Sequence, residues 1–271
     1  MPAIIAHPGM PLWIDLATTD IASAKTFYGE LLGWEFQELD GENSGYLLAR
    51  REGMPVAGLA QVPEGSLSMW GLCLYTPDVA SSHDAAVSAG ATSALQPRSL
   101  GERGAMAMLL DPAGAAIGLK CPADEQALLA AGEPSTPVWY ELLVGDKWEE
   151  TLEFYHELAG WDIRQTSEDA DFRYAVGELE GAGLAGLWDT SKMPEATSLW
   201  TIYMGVANID KAVNQIPKLG GVVVRPPYEA EFGRVATIQD PSGAILNLCE
   251  VAEYDPAQDD VHEPDLFAPE D

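Results

Sequence analysis

An indole and a carboxylate stand two positions apart at two places in the chain. The first pair is Trp13 and Asp15, and the second is Trp139 and Glu141. Side chains two residues apart lie on the same face of a β-strand, so each pair would present a flat apolar ring beside an acid. Such a ring stacks on planar ligands, and a carboxyl in a dry pocket can bind a hydroxyl or act as a general base. The four residues are therefore candidates for ligand binding or proton transfer.

The two pairs belong to a repeat that covers most of the chain. The matching segments are PLWIDL at 11–16 with PVWYEL at 137–142, FYGEL at 27–31 with FYHEL at 154–158, and DPAGA at 111–115 with DPSGA at 240–244. Their order and spacing are the same in both copies, which indicates two tandem domains of one fold. The predicted divisions are domain 1 at 10–121, a linker at 122–136, domain 2 at 137–250 and an acidic tail at 251–271.

Each copy reads as two units of one strand, one helix and three strands. The alternating residues 11–18 predict a strand, and the helix that follows has a capping side chain at Asp20. Asp78 opens the second unit in the same way. In the second copy Asp146 and Asn208 are the predicted caps. The fold class is therefore predicted to be α+β, with four βαβββ units.

These features resemble the vicinal oxygen chelate superfamily, which includes glyoxalases, bleomycin resistance proteins and extradiol dioxygenases. The resemblance rests on the paired βαβββ units, on FYxxLxGW at the first helix and on DPxG before the last strand, over about residues 10–250. The doubled arrangement is similar to two-domain members described as glyoxalase-like proteins or hydroxylases. It implies two tandem domains, in each of which an open, cup-shaped mixed sheet holds the ligand. The superfamily hosts many functions, so the fold alone does not identify one.

The resemblance also implies where a metal would be held. Metal-dependent members use His, Gln and Glu seven residues before the helix cap or seven after the Asp of DPxG. The corresponding residues here are Trp13, Gly71, Trp139, Thr201, Gly118 and Asn247. None of them is a usual transition-metal ligand. The four histidines, His7, His83, His156 and His262, are expected to be solvated, so we predict no bound metal and no cofactor.

By the same resemblance the first of these positions faces into the cup. Trp13 and Trp139 would then line the two cups. Trp70 and Trp200, near the starts of the second-unit strands, would add a second indole to each cup. A tryptophan at a strand start can equally be core or rim, so ligand contact and packing both stay open.

Asp15 and Glu141 are the candidate catalytic residues, because burial would raise the pKa of either carboxyl. The alternative role for each is to accept a hydrogen bond from a backbone N–H or to pair with an arginine. Arg103 and Arg234, near the glycines before the penultimate strands, are candidates for that pairing or for binding an acidic ligand.

Composition limits the partners. The chain has 43 acidic and 14 basic residues and a net charge of −29, which disfavours binding to nucleic acid or to an anionic membrane. Three widely spaced cysteines without a CxxC pair are typical of a reducing compartment. Because no signal peptide or apolar span is evident either, we expect a cytoplasmic protein. Four units complete two cups within one chain, so a monomer or a homodimer is expected.

Two functions fit these observations. The first is a metal-independent small-molecule-binding protein of the glyoxalase and bleomycin resistance type, which holds an aromatic or apolar ligand in a Trp-lined cup. The alternative is a glyoxalase-like lyase, or an accessory hydroxylase or dioxygenase, that uses Asp15 or Glu141. Binding ranks first, because proton abstraction without a metal needs a strongly raised pKa and another group to stabilise the oxyanion. The sequence leaves open whether the protein is an enzyme.

Overall fold

The structure is a computed structural model that describes residues 4–39, 45–123, 128–129, 131–169, 172–193, 197–230 and 233–252. The predicted acidic tail therefore falls almost entirely outside the described residues. The first half contains β1 (Ile4–Ile5), β2 (Pro11–Thr18), α1 (Ile21–Leu32), β3 (Glu35–Glu38), β4 (Tyr46–Arg51), β5 (Met54–Gln61), β6 (Met69–Tyr75), α2 (Val79–Ser88), β7 (Thr92–Ser99), β8 (Ala105–Leu110) and β9 (Ala116–Cys121).

The second half repeats this order. It contains β10 (Leu128–Leu129), β11 (Pro137–Val144), α3 (Trp148–Ala159), β12 (Asp162–Asp169), β13 (Phe172–Leu179), β14 (Ala182–Asp189), β15 (Leu199–Val206), α4 (Ile209–Gln215), β16 (Val222–Ala230), β17 (Gly233–Gln239) and β18 (Ile245–Glu250). Strand β10 pairs with β1, so Ile4 and Ile5 contact the segment between the halves.

Each half forms one eight-stranded mixed sheet. The strand orders are β3-β4-β5-β2-β6-β9-β8-β7 and β12-β13-β14-β11-β15-β18-β17-β16. The first strand of each unit runs parallel to a later strand of its own unit, and the two first strands lie side by side, antiparallel, at the centre. The predicted α+β class with four βαβββ units is confirmed. Units one and two share one sheet, and units three and four share the other.

Three of the four predicted helix caps are confirmed. The side chain of Asp20 accepts a hydrogen bond from Ser23 N at 3.0 Å, and Asp78 and Asn208 cap α2 and α4 in the same way. Asp146 is not a cap. Helix α3 begins one residue later, because Lys147 takes up a left-handed backbone conformation with φ of 54° at the N-cap position.

The two sheets pack around a single hydrophobic core that contains residues of both halves. We call it the shared core. Strand β6 contacts β15, and helix α2 contacts α3. The face of each sheet that carries Ile14 and Leu16, or Tyr140 and Leu142, belongs to this core. Because the core is continuous, the two halves stabilise one another and are not packed as two separate domains with separate cores.

Buried hydrogen bonds cross between the halves in matching pairs. The hydroxyl of Tyr28 donates to Asp240 at 3.1 Å and accepts from the Trp70 indole at 3.0 Å. In the mirrored arrangement, Tyr155 donates to Asp111 at 2.9 Å, and its hydroxyl accepts from the Trp200 indole at 2.9 Å. The FY motif of each half thus contacts the DPxG motif of the other half.

The tryptophans of the repeated GW motif also reach the opposite half. Trp34 donates to the carbonyl oxygen of Ser135 at 2.8 Å, and Trp161 donates to the carbonyl oxygen of Gly9 at 3.0 Å. Among the described helices none is long and apolar enough to cross a membrane, since α1 and α3 have only 12 residues each.

We expect Tyr28→Phe to lower the free energy of unfolding by about 1–3 kcal/mol, because Asp240 and the Trp70 N–H would each lose a buried partner. Tyr155→Phe should have a similar effect. Urea denaturation of the full chain measures both. The control is Tyr75→Phe, since the Tyr75 hydroxyl makes no hydrogen bond to the described residues. Equal stability losses in all three variants would contradict a specific contribution of the crossed hydrogen bonds.

Candidate functional site

The face of each sheet that is turned away from the shared core carries the repeated indole and carboxylate. Trp13 and Asp15 lie opposite Cys73 and Gly71 in the register of β2 and β6, and alternate with the core residues of the same strand. Trp139 and Glu141 lie on the corresponding face of the second sheet. We call these two regions the first cup and the second cup. The structure therefore brings each indole together with its predicted carboxylate.

In the first cup the polar groups bind one another. The Oδ1 atom of Asp15 accepts hydrogen bonds from the Tyr46 hydroxyl at 2.6 Å and from the Trp13 indole at 3.0 Å. Lys120 Nζ lies 4.5 Å from the centroid of the Trp13 ring, and the Arg103 guanidinium lies 4.4 Å from that of Tyr46. Cation–π contact thus covers one side of the indole with a side chain of the protein itself.

Cys73 in the first cup is not an activated thiol. Burial, reinforced by the negative charge of Asp15, raises the pKa of Cys73 to about 12. The nearby charge of Lys120 opposes this shift only in part. The thiol therefore stays neutral at physiological pH and is a packing group, not a nucleophile.

The second cup is built around a buried acid. Glu141 is only 6% exposed, and its two oxygens accept hydrogen bonds from Tyr174 at 3.0 Å and Tyr203 at 2.9 Å. Burial raises the pKa of the Glu141 carboxyl, and the two tyrosine hydroxyls offset that rise only in part. Burial and the carboxylate likewise raise the pKa of Tyr203. The second cup therefore holds its acid with neutral donors and without a paired arginine or lysine among the described residues.

Glycine at one strand position lets these side chains approach. A Cβ atom at Gly186 would overlap the hydroxyl oxygen of Tyr174 and would lie 3.2 Å from the Trp139 indole nitrogen. That nitrogen is buried and has no hydrogen-bond partner among the described residues, unlike its counterpart in Trp13. A buried N–H without an acceptor costs free energy. The second cup therefore has an unsatisfied hydrogen-bond donor at its indole, whereas the first cup has none there.

The residues at the family's metal positions do not fit a transition metal. Asn247 donates to Thr201 at 2.8 Å and accepts from Thr237 at 2.7 Å, so its amide is already bound by hydroxyls. The corresponding positions of the first cup include Gly71 and Gly118, which have no side chain. Within the described part of the chain, no three His, Cys, Asp or Glu side chains are grouped to hold a metal.

The described histidines lie away from the cups. His83 is a buried residue of α2, and its Nε2 lies 2.7 Å from the Ser93 hydroxyl oxygen. The expectation that it is solvated is therefore wrong. His83 lies on the inner side of α2, which packs against β7 and β8. His7 and His156 are exposed as expected, and His262 lies outside the described residues.

The structure corrects the expectation for Trp70 and Trp200. Both are buried in the shared core, on the face opposite to Trp13 and Trp139, and both donate to tyrosine hydroxyls there. The reason is the alternation of side chains along β6 and β15, because it is the next residue, Gly71 or Thr201, that faces the cup.

The two candidate arginines are separated. Arg103 contacts Tyr46, the partner of Asp15, and so belongs to the first cup. Arg234 does not reach the second cup. Its guanidinium binds the carboxylate of Asp210 on α4 at 2.9 and 3.0 Å, on the opposite face of β17. The prediction that Arg234 binds a ligand or a cup carboxylate is therefore corrected.

Six residues of the cups were missed by sequence reasoning, namely Tyr46, Tyr174, Tyr203, Tyr228, Lys120 and Arg225. Tyr46 and Tyr174 are at matching positions of the repeat. Each lies on a strand whose neighbouring strand carries a glycine, Gly58 or Gly186. A closer comparison of the two copies could have found this pair. Tyr203 and Lys120 have no such signal, because Cys73 and Cys249 take the matching positions.

Comparison with known proteins gives a consistent result for both halves. Residues 12–119 match the family model described as "Glyoxalase-like domain". Residues 137–248 match the model described as "Glyoxalase/Bleomycin resistance protein/Dioxygenase superfamily". The two matches together cover both sheets.

Whole-length relatives are also found. The chain is 31% identical over 251 residues to a Mycobacterium tuberculosis protein named glyoxylase CFP32, covering 90% of this chain and 95% of that protein. It is 28% identical over 268 residues to the Anthracycline biosynthesis protein DnrV of Streptomyces peucetius, covering 92% and 96%. The Mn(II)-bound glyoxalase from Novosphingobium aromaticivorans superimposes with a TM-score of 0.64 at 15% identity, covering 91% of this chain and 83% of that one. At that identity the likeness shows the fold alone.

The raised pKa of Glu141 predicts a pH-dependent stability. The folded chain binds this proton more tightly than the unfolded chain, so the contribution is full below the ordinary value of 4.5 and is lost as the pH rises through the raised pKa. Glu141→Gln should therefore lose less stability than the wild type between pH 4.5 and neutrality. Thermal unfolding across this range measures the difference. The exposed Glu30→Gln change serves as the charge-matched control, and a wild-type pH profile in Glu141→Gln would contradict the assignment.

Proposed function

Because the chain belongs to the vicinal oxygen chelate superfamily, in which one fold serves both catalysis and ligand sequestration, we propose that it binds a planar aromatic small molecule in the second cup without a metal. The observation that carries the proposal is the environment of Glu141. This buried acid is held by two tyrosine hydroxyls beside the half-buried indole of Trp139. A flat apolar wall with one convergent polar group is the usual composition of a small-molecule site.

In this proposal Glu141 forms a hydrogen bond with the ligand and Trp139 stacks on its ring. Glu141 accepts a hydrogen bond when it is ionised and can donate one when it is protonated, and its raised pKa favours the protonated form relative to an ordinary glutamate. A phenol oxygen beside it could accept or donate a hydrogen bond, and a quinone oxygen could accept one. The ring that carries this oxygen would stack on Trp139, whose N–H lacks an acceptor among the described residues.

The name of one relative supports an aromatic ligand. One is named for anthracycline biosynthesis, and anthracyclines contain planar fused rings with quinone and phenol oxygens. The donor set at the metal positions, Trp139, Thr201 and Asn247, supports binding without a metal. We regard the first cup as secondary, because Lys120 covers its indole and the Trp13 N–H is already bound to Asp15, whereas the Trp139 N–H has no acceptor among the described residues.

We expect 1-naphthol, used as a small neutral probe, to bind with a stoichiometry of one per chain in the presence of EDTA. Trp139→Leu should weaken this binding by about tenfold or more, because the stacking surface is lost. The matched change Trp13→Leu in the first cup should have little effect. Isothermal titration calorimetry measures both values.

Two results would contradict the proposal. One is naphthol binding that is unaffected by Trp139→Leu. The other is binding that disappears with EDTA and returns with an added divalent metal, together with near-stoichiometric metal in the purified protein.

A second candidate is an enzyme that transfers a proton at the same acid, which the raised pKa of Glu141 favours. It ranks lower because Tyr174 and Tyr203 donate to Glu141 itself and are not free to stabilise an oxyanion. The methylglyoxal–glutathione adduct, assayed with added Zn²⁺ or Ni²⁺, should therefore not be turned over. A rate that depends on a pKa above the ordinary glutamate value, and that is lost in Glu141→Gln, would establish the enzyme instead.

A further inference from the structure

Three aromatic rings form a cluster on β13 and β14 beside the second cup. The rings of Phe172 and Tyr174 are stacked, with centroids 5.7 Å apart and planes inclined by 12°. The Trp188 ring lies 5.9 Å from that of Phe172 and is tilted by 58°. We call these three residues the aromatic shelf.

The aromatic shelf lies on the same face of the sheet as the buried acid. Tyr174 is opposite Trp188 in the register of β13 and β14, and Trp188 is two residues from Gly186, which is opposite Glu141. Tyr174 also joins the two parts directly, because its hydroxyl donates to Glu141 at 3.0 Å. The shelf and the second cup are therefore one continuous surface.

This surface is apolar and open to solvent. Phe172 is 44% exposed, and Leu199 on β15 is 37% exposed. The register places Trp188, Leu143 and Leu199 in one row across β14, β11 and β15. Contiguous exposed apolar side chains of this kind cost solubility and usually mark a binding site.

The first half shows that the fold does not require large rings here. The row that corresponds to Trp188, Leu143 and Leu199 is occupied by Ala60, Ala17 and Met69. The same strand pairing thus forms with alanine in place of tryptophan and leucine. The aromatic shelf is a property of the second half that packing of the sheet does not explain.

We propose that the aromatic shelf holds the distal rings of an extended planar ligand whose oxygen-bearing end lies at Glu141. This inference rests on the proposed function and specifies its ligand class, a fused polycyclic phenol or quinone of three or more rings. An anionic ligand is disfavoured, because a net charge of −29 repels anions. Such a ligand occupies only the second cup, so one molecule binds per chain.

The test compares a two-ring probe, 1-naphthol, with a three-ring probe, 1,8-dihydroxyanthraquinone, on the full chain. The wild type should bind the three-ring probe about tenfold more tightly than naphthol. Phe172→Ala and Trp188→Ala should each weaken binding of the three-ring probe by about fivefold and change naphthol binding by less than about twofold. Phe172→Leu removes the ring but keeps a large apolar side chain, so it separates loss of stacking from a folding defect. Leu67→Ala, which removes an exposed apolar side chain of the first half, is the matched control.

The outcomes separate the two proposals. If naphthol binding is insensitive to Trp139→Leu, the proposed function fails. If naphthol binding depends on Trp139 but the shelf variants leave the affinity for the three-ring probe unchanged, the shelf inference alone is overturned. It is also overturned if the shelf variants change the elution volume of the protein in size-exclusion chromatography without changing affinity, since the aromatic shelf is then a contact between copies of the chain.

Discussion

The alternation of side chains along the central strands determines how this protein uses its two sheets. In β2 the even-numbered residues Ile14 and Leu16 enter the shared core, whereas Trp13 and Asp15 face the first cup. Because the period of a strand is two, each residue is committed to one face. The core face packs against the helices and turns whose tyrosine–aspartate hydrogen bonds join the halves, and the opposite face carries the indole and the carboxylate. A shift of one residue would exchange these surfaces.

The two cups have the same frame but different chemistry. In both, a glycine on the neighbouring strand makes room for a tyrosine whose hydroxyl binds the central acid, Asp15 or Glu141. The first cup adds Lys120 against its indole, so its charges compensate one another locally. The second cup adds Tyr203 and the aromatic shelf. Its arginine, Arg225, lies 3.5 Å from the centroid of the Tyr228 ring, and no described arginine or lysine pairs with Glu141, which leaves a buried acid of raised pKa next to open apolar rings. Duplication thus supplied a stable frame within which the halves diverged.

Much of the fold could be predicted from the sequence, because local signals and the repeat agree. Strand periodicity, the cap at Asp20 and the doubled motifs determined the units, and the pairing of indole with carboxylate on one face held in both halves. The errors arose where the face of a strand on which a residue lies, or packing between distant elements, determines the position of a side chain. Trp70 lies one residue away from the cup-facing position, and Asp146 lost its capping role to the left-handed turn at Lys147. Tyr203 and Arg234 depend on contacts between distant strands and helices, which spacing alone does not reveal.

The most direct measurement is a crystal structure of the EDTA-treated protein in complex with 1-naphthol. The account predicts the naphthalene ring against Trp139, its oxygen within hydrogen-bonding distance of Glu141, and no anomalous signal from a metal in either cup. It would be contradicted by a metal ion held by side chains of the second cup, or by a naphthol molecule bound elsewhere while that cup remains filled with water.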